Sequence, residues 1–395
     1  RRFSDTNDVN NTITDIRVDL TDTIWIDDAE SGKWGVYKND NIFSLQNELV
    51  NPAGTETGYA SSFAASESNS ILVIGSPNQA VDPVIRIYRR FSENSPSILL
   101  QAITATDEIL SNSLYGFDVA ISATGDVIAV GAPTATRIDD STQGPTAQGA
   151  VFLYSRIQDG TYRKTASIFS PLPAENEQFG YQVNLTKDET GVTRLFVGAP
   201  GDSASNGTLY VFDDSTTNWI YSNIAVEPVK KFAVNKLGDV ILTSAPVGTT
   251  NEMSVYRKQS NGSFSNLMMP VLREEDSSEG FGYAIAINDS GDQIAISAPR
   301  NDDNGIDAGA VYIYNQGSAS EYVLSQVLNS PFDEKNEAFG TGLDFSLNKL
   351  AISGKNTDTR TTTSFDNYFT LINKYQVAGT QQLPVYSNYV FDQTS

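Results

Sequence analysis

The densest group of oxygen ligands in the sequence is the segment Asp302-Asp303-Asn304-Gly305-Ile306-Asp307. Carboxylate and amide oxygens in one short loop are the ligands that Ca²⁺ takes, and they also suit polar contacts with another molecule. Acidic residues gather in loops by default, so a solvated acidic turn is favoured over a metal site. Asp302, Asp303 and Asp307 are therefore calcium candidates, but the sequence predicts neither a metal nor a cofactor.

A second polar loop runs from Thr134 to Gln148 and is the longest of its kind in the chain. Long loops on a rigid scaffold carry function disproportionately often, although variation in loop length alone is the alternative explanation. The charged residues of the two loops form the predicted binding set, which comprises Arg137, Asp139, Asp140, Arg300, Asp302, Asp303 and Asp307.

The composition excludes most catalytic chemistry. The chain contains no histidine and no cysteine, which removes histidine-activated nucleophiles, thiol chemistry and histidine- or cysteine-ligated zinc. Paired carboxylates could still serve a glycosidase, but the separation of two carboxylates in space does not follow from this sequence. We therefore predict that the protein is not an enzyme, and a carbohydrate-active propeller enzyme is the least favoured alternative.

The charge limits the partners. The formal net charge is −22, with 48 acidic and 26 basic residues, and such a chain repels phosphate backbones. We therefore predict no binding to nucleic acid. No apolar run approaches the length of a membrane span, so no membrane insertion is predicted either. The first residue is arginine, which indicates a processed product or a piece of a longer chain.

The elements that must position these loops follow a repeated pattern, which is clearest from Tyr115 to Arg156. It begins with an alternating stretch and a tight turn at Thr124-Gly125-Asp126. An apolar run ending in Gly131-Ala132-Pro133 follows, and a polar loop then leads to another apolar run. The same order returns in the segments Phe179-Gly180, Gly198-Ala199-Pro200 and Gly207–Phe212, and again in Phe281-Gly282, Ser297-Ala298-Pro299 and Gly309–Tyr314. Self-similarity at this spacing indicates a repeat architecture.

Each copy offers four short strands separated by glycine, proline, asparagine, aspartate and serine. Seven copies can be counted, so we predict an all-β fold, a seven-bladed β-propeller of four-stranded antiparallel blades. Residues 1–13 are predicted to be a polar lead-in and residues 14–391 a single propeller. The approximate blades are 14–50, 59–105, 115–170, 179–228, 231–273, 281–330 and 339–391.

Two arrangements could close the predicted ring between the first and the last blade. In one of them the two blades meet through packing alone, without a shared strand. In the other, part of residues 1–20 supplies a strand to the last blade, as a clasp. The sequence leaves both open.

The combination of Phe-Gly with a later Gly-Ala-Pro resembles the FG-GAP repeat of integrin α-subunit propellers and their bacterial and viral relatives. The resemblance implies a seven-bladed propeller that is used for binding. Integrin-type blades often carry a calcium loop of the form Asp-x-Asp-x-Asp-Gly. With Gly291 as its glycine, this chain has Ala286, Asn288 and Ser290 at the acidic positions, so plain hairpins are predicted.

The predicted function is a non-enzymatic binding or adhesion propeller on a surface or secreted protein, with rim loops contacting a protein or a glycan. The alternative is a structural or receptor-facing module of a virus particle or surface appendage, in contact with other subunits. It is motivated by residues 25–38, which are similar to segments of large virion proteins of marine tailed phages. The predicted location is extracellular, on a cell surface or on a virion surface.

Overall fold

In the computed structural model, the described part of the chain consists mainly of short strands. The backbone is described for residues 2–3, 13–18, 23–28, 33–39, 43–49, 61–68, 70–77, 83–91, 95–105, 113–136, 148–201, 207–215, 218–226, 229–247, 250–267, 280–317, 321–330, 338–346, 349–356, 366–373 and 386–391. Side chains are described between residues 61 and 354. These residues contain only strands, turns and irregular segments, so none of them forms a helix that could cross a membrane.

The strands of the first four copies follow the predicted repeats. Strand β1 is Arg2–Phe3. The first sheet contains β2 (Ile13–Val18), β3 (Thr23–Asp28), β4 (Lys33–Asn39) and β5 (Phe43–Leu49). The second contains β6 (Ser62–Ala65), β7 (Ile71–Ser76), β8 (Val84–Arg89) and β9 (Ile98–Thr104). The third contains β10 (Val119–Ile121), β11 (Val127–Ala132), β12 (Ala150–Arg156) and β13 (Tyr162–Phe169). The fourth contains β14 (Gln182–Lys187), β15 (Thr193–Ala199), β16 (Thr208–Ser215) and β17 (Asn218–Val226).

The later copies continue in the same way. The fifth sheet contains β18 (Lys231–Val234), β19 (Val240–Val247), β20 (Thr250–Lys258) and β21 (Phe264–Leu267). The sixth contains β22 (Ile285–Ile287), β23 (Gln293–Ala298), β24 (Ala310–Gln316) and β25 (Tyr322–Asn329). The seventh contains β26 (Leu343–Ser346), β27 (Lys349–Asn356), β28 (Asp366–Asn373) and β29 (Tyr386–Phe391). In every sheet, strands that are consecutive in sequence are neighbours, and the four-stranded antiparallel pattern of the prediction is confirmed.

The chain divides into two compact units. Unit 1 comprises Arg1–Leu49, Val247–Tyr256 and Asn266–Ser395, and unit 2 comprises Val50–Pro246 and Arg257–Ser265. Within unit 1, strand β2 of the first sheet lies against β26 and β27 of the seventh. Within unit 2, the innermost strands β6, β10, β14 and β18 contact one another in chain order. Within each unit, neighbouring sheets thus pack through their first strands.

Strand β1 adds a fifth strand to the seventh sheet. It pairs in parallel with β29, with Arg2 opposite Val390 and Phe3 opposite Phe391. The pairing corresponds to the clasp arrangement, in which the start of the chain supplies a strand to the last sheet. It also covers one edge of β29, which would otherwise present unpaired backbone groups.

The segments that stand in the Phe-Gly and Gly-Ala-Pro places of the repeat meet directly in unit 2, beginning with Tyr115-Gly116 and Gly75-Ser76-Pro77. The amide of Gly116 donates to the carbonyl oxygen of Gly131 in its own sheet at 2.9 Å. The carbonyl oxygen of Gly116 lies against Gly75 of the preceding sheet, where an added Cβ would be only 2.0 Å from it. Glycine is needed at position 75 because no side chain fits beneath that carbonyl.

The contact recurs one sheet further on. The amide of Gly180 donates to the carbonyl of Gly198 at 3.1 Å. A Cβ on Gly131 would lie 2.0 Å from the carbonyl oxygen of Gly180. The glycines that follow the aromatic residue have a different requirement, because Gly116 and Gly180 have φ values of +84° and +89°, which favour glycine. In unit 2 the repeat motif therefore supplies close backbone contacts between successive sheets.

Side chains join successive sheets as well. One carboxylate oxygen of Asp118 accepts from the amide of Val183 in the next sheet at 2.7 Å. The side chain of Gln182 donates to the carbonyl of Phe232 and accepts from its amide, at 2.7 and 3.1 Å. Buried apolar residues fill the space between the second and third sheets, among them Ile85, Ile87 and Phe152.

A buried arginine of the fourth sheet bonds to two carboxylates and to a carbonyl of the fifth sheet. Arg194 is 2% exposed, and its Nε donates to Asp213 at 2.6 Å. Its two terminal nitrogens donate to Asp188 and to the carbonyl of Gly238, both at 3.4 Å. Ser222 donates to the second oxygen of Asp213 at 2.8 Å, so the carboxylate that holds Arg194 is itself oriented.

Asp188 should make folding stability depend on pH in the acid range. Burial raises the pKa of Asp188, but hydrogen bonds from Thr190 and Val192 and the charge of Arg194 outweigh it, so the pKa is lowered. A carboxyl whose folded pKa is depressed stabilises the fold above its unfolded pKa of about 3.9, and that contribution disappears as the pH falls through the folded value. We expect Asp188→Asn to be less stable than the wild type at pH 7, with the difference shrinking below about pH 4.

The measurement is the free energy of urea unfolding at several pH values between neutral and acid. Thr190→Ala is the matched variant, because it removes one donor to Asp188 and keeps the carboxylate. It should give an intermediate pH dependence. A constant difference between Asp188→Asn and wild type at all pH values would contradict the linkage.

Candidate binding loops

The loop that contains the predicted acidic residues is a compact, internally bonded structure in unit 1. The amide of Asn301 donates to the carbonyl of Ala298 at 3.1 Å, and the amide of Gly309 donates to the carbonyl of Asn301 at 3.0 Å. The Asn301 side chain is buried and donates to the hydroxyl of Tyr312 at 3.3 Å. Asn301 therefore ties the beginning and the end of the loop to strand β24.

The acidic residues of the loop contribute hydrogen bonds within it and also expose carboxylates to solvent. A carboxylate oxygen of Asp302 accepts from the amide of Asp307 at 2.7 Å, and the Asp303 amide donates to the side chain of Asn301 at 3.1 Å. Asp302 and Asp303 are nevertheless exposed, and Ile306 between them and Asp307 is 53% exposed. The loop thus presents two carboxylates and one apolar side chain, with Arg300 also exposed at its start.

The next sheet fixes the far end of this loop. The amide of Ala338 donates to the carbonyl of Asp307, and the amide of Phe339 donates to that of Ala308, both at 3.0 Å. A Cβ on Gly309 would lie 2.4 Å from the carbonyl oxygen of Phe339. Because both ends are bonded, little conformational entropy remains to be lost when the loop binds a ligand.

The loop of the third sheet begins and ends in the same way in unit 2. The amide of Ala135 donates to the carbonyl of Ala132, and the amide of Gly149 donates to that of Ala135, both at 3.0 Å. The amide of Phe179 donates to the carbonyl of Gln148 at 2.9 Å. The two predicted loops therefore occupy equivalent places in the repeat.

The structure brings together only part of the predicted binding set. Arg300, Asp302, Asp303 and Asp307 share one loop, whereas Arg137, Asp139 and Asp140 lie outside the described residues. Sequence reasoning missed Asn301 and Asn304, which hold the loop, the latter by donating to the carbonyl of Ser330 at 3.3 Å. Nothing in an asparagine-rich sequence distinguishes these two from solvated turn residues.

The hairpin turns between the first and second strands are closed by their own side chains. The Ser122 hydroxyl accepts from the amides of Asp126 and Val127, both at 3.0 Å. The Asn235 side chain accepts from the amides of Asp239 and Val240 in the corresponding turn, and Asn288 accepts from that of Gln293. In the described part of the chain, no three acidic residues gather closely enough to hold a metal ion.

Calcium is therefore expected to leave the stability unchanged. The carboxylates of Asp302, Asp303 and Asp307 form no group of ligands among the described residues, and Asp302 is engaged by a backbone amide. Thermal unfolding should give the same melting temperature in excess chelator and in millimolar calcium. A rise of more than a few degrees with calcium would contradict this prediction, and its loss in Asp302→Asn would place the ion at this loop.

Solved structures with the same fold are β-propellers. Hydrazine synthase from Kuenenia stuttgartiensis has a TM-score of 0.57 at 10% identity, over 88% of this chain and 94% of that chain. A putative 6-phosphogluconolactonase from Bacteroides fragilis has a TM-score of 0.56 at 11% identity, over 98% of both chains. The complex of KlAtg21 with the coiled coil of AgAtg16 has a TM-score of 0.57 at 13% identity, over 96% of this chain and 99% of that chain. At such identities the likeness shows the fold alone.

The repeat itself is matched by sequence. Residues 274–314 match the family model of the FG-GAP repeat, and they contain the Phe281-Gly282 and Ser297-Ala298-Pro299 segments. The chain therefore has the β-propeller fold and contains an FG-GAP repeat. The matched residues also include the whole Arg300–Ala308 loop. No curated protein sequence matches the chain.

Proposed function

We propose that this FG-GAP propeller is a non-enzymatic binding or adhesion module with seven blades, presented outside the cell on a surface or secreted protein. Its ligand is a protein or a glycan, and its contacts are made by loops between the second and third strands of the blades. The six four-stranded sheets and the five-stranded one support the blade count. FG-GAP repeats typically occur in extracellular or surface proteins, which supports the location.

One observation carries the proposal, namely the pre-organised loop from Arg300 to Ala308. Its backbone is bonded internally and to the next sheet, while Arg300, Asp302 and Asp303 face solvent. Charged groups that are held rigidly and remain exposed are suited to recognising a partner, because binding orders little additional backbone. The absence of histidine and cysteine from the sequence supports binding without turnover.

The test compares two single charge-reversal variants of the fluorescently labelled protein. Asp303→Lys changes an exposed loop carboxylate whose side chain holds nothing in the loop, and Asp214→Lys makes the same charge change on strand β16. Both variants and wild type are applied to a glycan array and to a panel of extracellular matrix proteins. We expect saturable binding that falls at least tenfold in Asp303→Lys and stays within about twofold in Asp214→Lys, the tenfold loss corresponding to about 1.4 kcal/mol.

Two results would overturn the proposal. Equal losses in both variants would show that binding depends on net charge and not on the loop. Turnover of any member of a glycosidase substrate panel would favour the enzyme alternative. If the domain instead binds a purified virion or appendage subunit in preference to glycans and matrix proteins, the module of a virus particle or appendage becomes the better assignment.

A further inference from the structure

Two segments of unit 2 are basic although the chain as a whole is strongly acidic. The segment from Val84 to Phe91 contains three arginines and no acidic residue, whereas the chain carries a net charge of −22. The hairpin of strands β12 and β13 contributes Arg156, Arg163 and Lys164. These segments belong to the second and third sheets, which pack against each other through Ile85, Ile87, Phe152 and Tyr154.

Two of these arginines meet at the end of that packed interface. A Cβ added to Gly160, in the turn between β12 and β13, would lie 3.8 Å from Nη2 of Arg156 and 3.9 Å from Nη1 of Arg89. Among the described residues, no other atom outside the chain neighbours of Gly160 lies within 4 Å of that point. The two guanidinium groups therefore border one small space, although they come from different sheets.

Neither guanidinium makes an ion pair among the described residues, where the ion pairs within 4 Å involve Arg194, Lys236 and Lys258. Asp159, in the same turn as Gly160, directs a carboxylate oxygen to the amide and hydroxyl of Thr161. Asp126 brings an exposed acidic residue into this region, because its carbonyl accepts from the amide of Arg156 at 2.8 Å. Two cations that border one space nevertheless favour an anion placed between them.

An exposed aromatic ring extends the cationic pair. The guanidinium of Arg89 lies 4.7 Å from the ring centroid of Phe91, and Phe91 is 68% exposed. Phe91 is the most exposed of the large apolar side chains in the described residues. A guanidinium fork matches a carboxylate or sulfate in a bidentate manner, and a flat ring beside it suits the apolar face of a sugar.

We propose that Arg89, Arg156 and Phe91 form a binding site for an acidic sugar residue, with the guanidinium groups holding its carboxylate or sulfate and Phe91 packing on its ring. Nucleic acid is a poor candidate, because its dense phosphates would meet the acidic remainder of the surface. The site lies at the end of β12 opposite to the Thr134–Gln148 loop. It is therefore separate from the loop contacts of the proposed function and is tested separately.

The test is titration calorimetry of the whole chain with tri-galacturonate at low salt. Arg156→Gln removes one fork, and Arg163→Gln removes the same charge from an exposed position on the neighbouring strand β13. We expect the affinity to fall about tenfold or more in Arg156→Gln, since the variant loses a charged fork that donates two hydrogen bonds to one oxyanion. It should stay within about twofold in Arg163→Gln, and Arg156→Lys should recover only part of the loss, because lysine keeps the charge without the fork.

Sulfated and phosphate-bearing probes complete the experiment. A sulfated disaccharide that binds with the same Arg156 dependence would assign a sulfate ester as the preferred oxyanion, and the site would stand. The site is overturned by equal losses in Arg156→Gln and Arg163→Gln, by tighter binding of a DNA oligonucleotide than of either sugar, or by no binding of any acidic sugar. Melting temperatures of both variants within a few degrees of wild type show that the fold is intact.

Discussion

Gly131→Ala should lower the free energy of unfolding by about 3 kcal/mol or more, at the upper end of what overpacking a core costs. The new Cβ would lie 2.0 Å from the carbonyl oxygen of Gly180, which belongs to the backbone of the next sheet and cannot rotate away. Gly131 is not among the glycines with positive φ, so alanine can adopt its backbone conformation without strain. The expected loss therefore reports the contact between sheets and nothing else.

Gly262→Ala is the matched control, because at Gly262 the backbone conformation is strained for alanine while the space for a Cβ is free. Gly262 has a φ of +89°, and a Cβ there would meet nothing within 4 Å. Alanine should cost only the strain of the left-handed conformation, about 1–2 kcal/mol. Urea unfolding followed by fluorescence and by circular dichroism measures both variants. Equal losses would mean that the close approach of Gly131 to Gly180 does not hold the sheets together.

Arg194→Met should be the second severe change, with a loss of about 2–3 kcal/mol, because it removes a buried cation and its hydrogen bonds to Asp188 and Asp213, whose side chains are 19% and 37% exposed. Arg194 is 2% exposed and joins Asp188, Asp213 and the carbonyl of Gly238. Methionine keeps much of the volume, so the loss comes from the uncompensated acceptors and not from a cavity. The same urea experiment measures it.

Lys236→Met provides the comparison. Lys236 and Glu67 form an ion pair at 2.5 Å, as short as the contact of Arg194 with Asp213, but their side chains are 44% and 42% exposed. Solvent screens such a pair, and its removal should cost no more than about 1 kcal/mol. If the two substitutions had similar effects, burial would not be the quantity that decides the strength of these pairs.

Many strands were predictable because they are short apolar runs bounded by turn residues, as Ile71–Ser76 and Val127–Ala132 are. The alternating stretch from Tyr115 to Ile121 was predicted less well, since strand β10 begins only at Val119. Gly116 has positive φ and its amide turns to Gly131, which breaks the extended conformation before the strand starts.

The sites were less predictable, because they depend on distances between residues that are far apart in sequence. The acidic loop was found from its composition, but the anchoring by Asn301 and Phe339 was not, since it requires the position of the next sheet. In the sequence, Arg89 cannot be distinguished from an ordinary polar residue at the end of a strand. Its approach to Arg156 follows only from the packing of the second sheet on the third.

The glycine contacts between successive sheets also bear on how the chain folds. In unit 2 the carbonyls of Gly116 and Gly180 lie against Gly75 and Gly131, which belong to the sheet synthesised immediately before. Contacts of this kind keep the sequence separation of interacting residues small for a β protein, which favours fast folding. In unit 2 each newly made sheet can therefore dock on a finished neighbour as it leaves the ribosome, so its apolar face is exposed only briefly during synthesis.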